Sequence, residues 1–325
     1  MNRRAVREDD ATRIVPHGAS PGPVTIEESM RAVLAGILSQ YRAQLIVAEA
    51  GVVDDRDIER LHQFRVAIRR TRALLTHFGD SLDGSRVDRF QADFAWVAKA
   101  AGRQRDLDVL LDRSEHRRKP RLETEVATAL HEEIAGRRKV AHRQLLGLLA
   151  SARYRKLKVD WFHFLDEQRN SGARSTSARQ VAAATLRKRW DELCRRSGQI
   201  GSGSRFKRLH ALRKDGKELR YAIEAFTELF GDSAVAELTR PLRRLQDWLG
   251  DLCDLYVQVE LLAEIVQECQ SRDDDASTAD ALRLWHREMR DDLRSARKQA
   301  AKHCRRLGRK RNRRGFEKAL KEAEA

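Results

Sequence analysis

Aromatic side chains are scarce, at 6% of 325 residues, which weakens any reading that needs ring platforms for unpaired bases. Proline is scarcer. Three of the five lie at Pro16, Pro21 and Pro23, leaving only Pro120 and Pro241 to interrupt long stretches of Ala, Leu, Arg, Lys and Glu, a helical composition. Cysteine is limited to Cys194, Cys253, Cys269 and Cys304, with no CxxC pair and no histidine spaced to complete a zinc set. A disulfide framework and a structural zinc are therefore not expected, and the thiols read as buried or incidental in a reducing compartment. No run of about 18 apolar residues occurs, and the first 25 residues lack the apolar stretch of a secretory signal. The expectation is a cytoplasmic protein, without membrane insertion, that begins in a disordered arm over residues 1–25.

What the chain has in excess is positive charge. Lys and Arg number 65 against 49 Asp and Glu, giving +16 and a pI near 10.2, which favours an anionic partner: nucleic acid, a membrane surface or a phosphate polymer. The length is ample to bury a core without staples. Apolar residues recur at spacings of three and four through 26–50, 56–81, 85–102, 104–115, 122–149, 151–168, 175–197, 204–230, 234–250, 252–271 and 276–306, predicting helices throughout. Small polar breaks fall at Asn170-Ser171-Gly172 and from Ser197 to Ser204, and the first is the expected seam between two halves.

The halves resemble each other at an offset of 148 residues. That shift superposes Leu61-His62 on Leu209-His210, Arg65 on Arg213, Arg72 on Arg220 and Phe78 on Phe226. Without a gap it also aligns Val33 with Val181, Leu45 with Leu193, Gly102 with Gly250, Asp106-Leu107 with Asp254-Leu255 and Val109 with Val257. One offset held from Val33 to Val109 implies duplication rather than chance. The fold class expected is all-α, a duplicated helical bundle whose copies, of four-helix type, are related by a pseudo-two-fold axis. The first half is read as 26–169 and the second as 175–306, with a charged tail over 307–325.

Each copy carries a row of cations. His62, Arg65, Arg69 and Arg72 stand at relative positions 0, 3, 7 and 10, which at about 100° per residue confines them to an arc of roughly 80°. Phe64, Ile68, Leu75, Phe78 and Leu82 occupy the opposite side, so the cations must face solvent or a groove. The second copy repeats the row with His210, Arg213, Lys217 and Arg220, with Lys214 and Tyr221 at its edge. A charged stripe is ordinarily a solvated helix face with both signs mixed. Here no acid occurs from Arg60 through His77, so the first row repels itself unless an anion is supplied. The second row is less pure, because Glu224 can reach Arg220 and Glu218 flanks it. Arg forks suit phosphate oxygens bidentately. A lone helical histidine is usually a surface residue, and cationic neighbours should keep His62 and His210 neutral, fitting a hydrogen-bond donor to phosphate rather than a catalytic acid.

Gly102-Arg103-Gln104-Arg105-Asp106 and Gly250-Asp251-Leu252-Cys253-Asp254 invite a metal reading, but a glycine ending one helix with an aspartate opening the next is ordinary turn chemistry. Alternatively Asp106 and Asp254 orient the cationic rows. Residues 305–314 hold seven basic residues in ten and read as a flexible, sequence-blind anion tether.

With the doubled Leu-His-x-x-Arg rows in view, the chain resembles the CHAD family, the conserved histidine α-helical domains. The resemblance rests on LHQFRVAIRRTRALL (61–75) with GRQRDLDVLL (102–111), and on LHALRKDGKELRYAIEAF (209–226) with LGDLCDL (249–255). It spans about residues 26–306. It implies two similar helical bundles about a basic central groove, binding of inorganic polyphosphate and, in bacteria, association with polyphosphate granules. Carried onto matching positions, the groove would include His62, Arg65, Arg69, Arg70 and Arg72 with His210, Arg213, Lys214, Lys217, Arg220 and Tyr221. The second copy departs at Glu218, where the first has Arg70, and at Cys253, where the first has Arg105. The ExExK hallmark of the CYTH phosphohydrolases often joined to this family is missing. The expectation is a non-enzymatic polyphosphate binder with no catalytic residue, metal or cofactor. The alternatives are a sequence-independent nucleic-acid binder or an accessory subunit of a phosphohydrolase.

The charge argument makes binding steep in salt. Releasing condensed counterions from DNA gives a log–log slope of about 0.9 per neutralised phosphate, and a phosphate polymer should behave in the same sense. An affinity unchanged between low and high salt would remove the electrostatic basis.

Overall fold

Short polar side chains open three helices in the way unsatisfied backbone N–H groups require. The Ser29 Oγ accepts from the Ala32 N–H at 3.3 Å, an Asp83 carboxylate oxygen from the Ser85 N–H at 3.3 Å, and the Ser151 Oγ from the Tyr154 N–H at 3.2 Å. The computed structural model describes residues 29–54, 58–116, 124–170, 177–201, 204–271 and 276–324. The expected N-terminal arm and most of the expected seam after Asn170 lie outside these residues.

The elements in order are α1 (Met30–Asp54), α2 (Ile58–Phe78), α3 (Gly84–His116), α4 (Thr124–Leu149), α5 (Ala152–Asn170), α6 (Ala178–Gly198), α7 (Phe206–Ala225), the short α8 (Thr227–Phe230), α9 (Asp232–Ser271), α10 (Ala276–Leu307) and α11 (Lys310–Glu324). A 3₁₀ turn at Gly79–Ser81 and an isolated antiparallel bridge between Ser29 and Ser177 complete them. The fold is all-α. Gly231, at φ 80°, turns the chain from α8 into α9 in a conformation that only glycine adopts without strain.

The 148-residue offset recurs in the helix starts: Met30 and Ala178, Ile58 and Phe206, and Gly84 and Asp232 open three helix pairs at that spacing. Ser29 bridges Ser177, and the rings of Phe78 and Phe226 meet edge-to-face at 4.9 Å. Among the described residues the first half holds α1 to α5 and the second α6 to α10, with α11 in the tail, and the main core is shared. Leu34, Leu38, Phe64, Ile68 and Phe164 pack in the same cluster as Leu186, Trp190, Leu219, Ile223 and Phe226. A second cluster joins Leu107 and Leu110 of α3, Ile134 and Ala141 of α4, Val259 and Leu262 of α9, and Trp285 and Met289 of α10.

Two sequence expectations change here. Gly102 and Gly250 end no helix: α3 and α9 run through them. Mid-helix glycine costs about 1 kcal/mol, while Phe90, Phe94 and Val97 anchor α3 in the main core and Leu107 and Leu110 anchor it in the second. Burial at both ends outweighs the break. The charged tail is likewise no loose tether. Most of it forms α11, whose Phe316, Ala319, Leu320 and Ala323 are buried. Phe316 stacks on Trp190 with centroids 4.4 Å apart.

Because Phe316 is 2% exposed, Phe316→Ala should lower the unfolding free energy by about 3–5 kcal/mol, as for a core phenylalanine. Urea unfolding followed by circular dichroism measures it. A loss under about 0.5 kcal/mol would return the segment to the surface class.

Candidate functional site

The apolar sides of α2 and α7 set the site. Phe64, Ile68, Leu75 and Phe78 of α2, Leu212, Leu219 and Ile223 of α7 and Phe226 just past its end are all buried, and the two helices pack against each other. Burying those sides aims both rows into one seam. Arg65, Arg69, Arg70 and Arg72 are half-buried. Lys217 is only 8% exposed, Arg220 7% and Tyr221 5%, whereas Lys214 and His210 are exposed and Arg213 is half-buried. This is not an ordinary solvated face, since Lys and Arg are almost never so buried without partners. His62 is buried too, at 6% exposed, so the two motif histidines occupy different surroundings.

The rows meet at Tyr221. The Arg220 guanidinium lies 5.2 Å from its ring centroid, Arg70 5.9 Å and Arg69 6.0 Å, within the range where a ring face attracts a cation. Arg70 also lies 5.9 Å from the ring of Tyr41 on α1. Burial pushes the Tyr41 phenol up to about 12; Arg70 opposes this, and Glu224 and Tyr221 add to it. It stays a neutral donor. Glu224 is paired with Arg220 and with Arg243 of α9, each at 3.7 Å.

Acids from the neighbouring helices hold the outer part of the rows. Arg213 pairs with Asp254 at 3.3 Å. Burial raises the Asp106 carboxyl above its usual range, with Arg65 opposing, Asp254 adding, and Arg103 and Arg105 opposing. Arg213 is in contact with Asp254, and Arg65 acts on Asp106 through its charge. Glu218 is raised by burial, opposed by Lys214, reinforced by Asp215 and opposed by Arg72 of the other row. Burial, then Arg213 and Lys214, lower His210 below the usual histidine range. Its ring is neutral at pH 7 and able to donate a hydrogen bond.

The copies differ in charge. Where the first half has Arg105, the second has Cys253, a buried thiol pushed up to about 11 by desolvation, with Arg213 opposing, Asp254 adding and Lys217 opposing. It is neutral. Glu218 replaces the counterpart of Arg70, so the first half supplies the stronger positive field. Tyr41 and Arg243 escaped the sequence reading because their counterparts at the offset are Arg189 and Ala95, and a search by repetition finds only what both copies keep. The residues Arg309, Lys310, Arg311 and Arg313 lie on or beside α11, which packs on α6 and α9 rather than on α2. A separate apolar pocket lined by Leu45, Phe94, Leu157 and Trp161 contains no row residue. Among the described residues no three His, Cys, Asp or Glu side chains gather as a metal set, and no helix is long and apolar enough to cross a membrane.

Comparison with known proteins agrees with this architecture. The chain is similar over 84% of its length to 93% of the CHAD domain from the plant Ricinus communis, at 22% identity and a TM-score of 0.69. It is similar over 90% of its length to 99% of PptA from Streptomyces chartreusis, at 18% identity and a TM-score of 0.58. At these identities the likeness concerns the fold. No curated protein matches the chain. The sequence model of the CHAD domain matches residues 36–263, a span that holds both cationic rows, and the chain belongs to the CHAD domain family.

Proposed function

We propose that the chain binds inorganic polyphosphate along the seam between α2 and α7, and that it does so without turning the polymer over. The observation that carries this reading is the convergence of cations from both rows on Tyr221, at depths where Lys217 and Arg220 are more than nine-tenths buried. A thread of linked phosphates is slender enough to follow such a seam. A rigid duplex presents its phosphates on a broad cylinder and would meet chiefly the exposed Lys214 and His210. Arg65, Arg69, Arg70 and Arg72 offer planar forks to phosphate oxygens, and neutral His210 offers a hydrogen bond. Three of the acids beside the rows are engaged by cations: Asp254 by Arg213, Glu224 by Arg220 and Arg243, and Glu218 by Lys214. They position cations rather than present a free carboxylate cluster to a divalent ion. Family membership supports the same ligand and, with it, a cytoplasmic place at the surface of polyphosphate granules.

The groove is tested by changing Arg65, Arg69, Arg213 and Lys217 together to Gln, which keeps much of each aliphatic stem and removes the charge. The control removes an equal charge at Arg86, Arg89, Arg153 and Lys156, all of which pair with acids outside the seam. Each lost phosphate contact should cost roughly 1.5–3 kcal/mol, while the control should change affinity only slightly. Equal losses would leave a diffuse basic surface. Binding that is competed as well by duplex DNA as by short polyphosphate at one salt concentration would favour the nucleic-acid reading.

Absence of turnover is tested by incubating the protein with Mg²⁺ and long polyphosphate and sizing the product on a gel. Polymer of unchanged length is expected. Protein-dependent shortening would make the chain a hydrolase.

A further inference from the structure

Two helix elbows, between α4 and α5 and between α10 and α11, treat their charges in opposite ways. In the first half the cations beyond the elbow are neutralised. Arg153 pairs with Asp93 at 2.7 Å, Lys156 with Asp160 at 3.2 Å and Lys158 with Glu49 at 2.8 Å, while Arg155 donates to the Ala150 carbonyl at 2.6 Å. In the second half no Asp or Glu occurs from Leu293 to Phe316. Arg305, Arg309, Lys310, Arg311, Arg313 and Arg314 are exposed, and among the described residues no carboxylate pairs with any of them.

This charge sits on a fixed frame. The Asn312 side-chain amide donates to the carbonyls of Arg306 at 2.9 Å and Leu307 at 3.2 Å, closing the end of α10. Gly308 rests against the Cys194 carbonyl, which a Cβ would approach to 3.0 Å, so no larger residue fits without displacing the backbone of α6. Leu307 and Phe316 are buried on either side. The helical frame fixes where these cations start, so their charge stays concentrated at the elbow and is relieved by an anion supplied from outside.

We propose that the α10–α11 elbow is a second polyphosphate-binding surface, independent of the seam, so that one molecule holds two segments of a long polymer or bridges two polymers. The proposal rests on the reading of the seam as a polyphosphate groove. Five of the six cations are arginines, whose forks match phosphate oxygens. The ring pair of Trp248 on His303 beside the elbow, with centroids 4.4 Å apart, is already stacked on itself, and the Asn312 amide is engaged by backbone. Its apolar residues, Leu307 and Phe316, point inward, which leaves nothing to insert into a lipid layer.

The test uses the full chain and calorimetric titration with a short polyphosphate oligomer. Two oligomers per wild-type molecule are expected. One is expected for the elbow variant (Arg309→Gln, Lys310→Gln, Arg311→Gln, Arg314→Gln), and one for the groove variant described above. With long polyphosphate the wild type should scatter light through bridging, and the elbow variant should bind without doing so. A wild-type stoichiometry of one, kept by the elbow variant, would overturn the second site while leaving the groove intact. Undiminished binding by the groove variant would instead refute the groove reading. An elbow variant that still takes two oligomers but loses duplex DNA would overturn the proposal in favour of a nucleic-acid surface.

Discussion

Two rows of like charge lie side by side because the reverse faces of the same two helices must be buried, and the rest of the structure answers to that conflict. Phe64, Ile68, Phe78, Leu219, Ile223 and Phe226 are each at most 2% exposed, and burying each side chain contributes about 1.5–3 kcal/mol. Pairwise repulsion between partly screened cations is smaller per pair. The apolar sides therefore decide the packing of α2 against α7, and the cations accept the positions left to them. Tyr221 and Tyr41 supply ring faces, and Asp254 and Glu224 supply counter-charge.

The 148-residue repeat in the sequence pairs the two basic stripes, and the packing of α2 against α7 brings them together. The same fold brings Asp106 towards Asp254 and Phe78 onto Phe226. The halves differ in charge here: Glu218, which Arg72 acts on through its charge, stands where the first half has Arg70, and the neutral Cys253 stands where it has Arg105.

The long helices α3 and α9 tie the seam to the remote end of the molecule. Each spans both hydrophobic clusters, and Arg103 of α3 pairs with Glu264 of α9 at 2.9 Å. The aspartates that touch the rows stand where the helices leave the main core and enter the second. A shift of either helix would move its aspartate relative to the cation it faces.

The sequence by itself determined the helical class, the 148-residue repeat of its motifs and the membership of each row, because all three are properties of spacing along one strand of chain. Residues three, four and seven apart share a helix face whatever the helix later touches. Only the tertiary structure decided that the rows converge on Tyr221, that Arg243 and Tyr41 join them, and that Asp254 is the partner of Arg213. Those contacts join residues far apart in the chain, and no local period encodes them. The glycines and the basic tail misled for the same reason. Gly102 and Gly250 carry a local preference to end a helix, and residues 305–314 carry a local preference for solvent, but burial at both ends of α3 and the stacking of Phe316 on Trp190 outweigh those preferences. Local chemistry proposes a break or a tail, and the area buried against distant segments settles which survives.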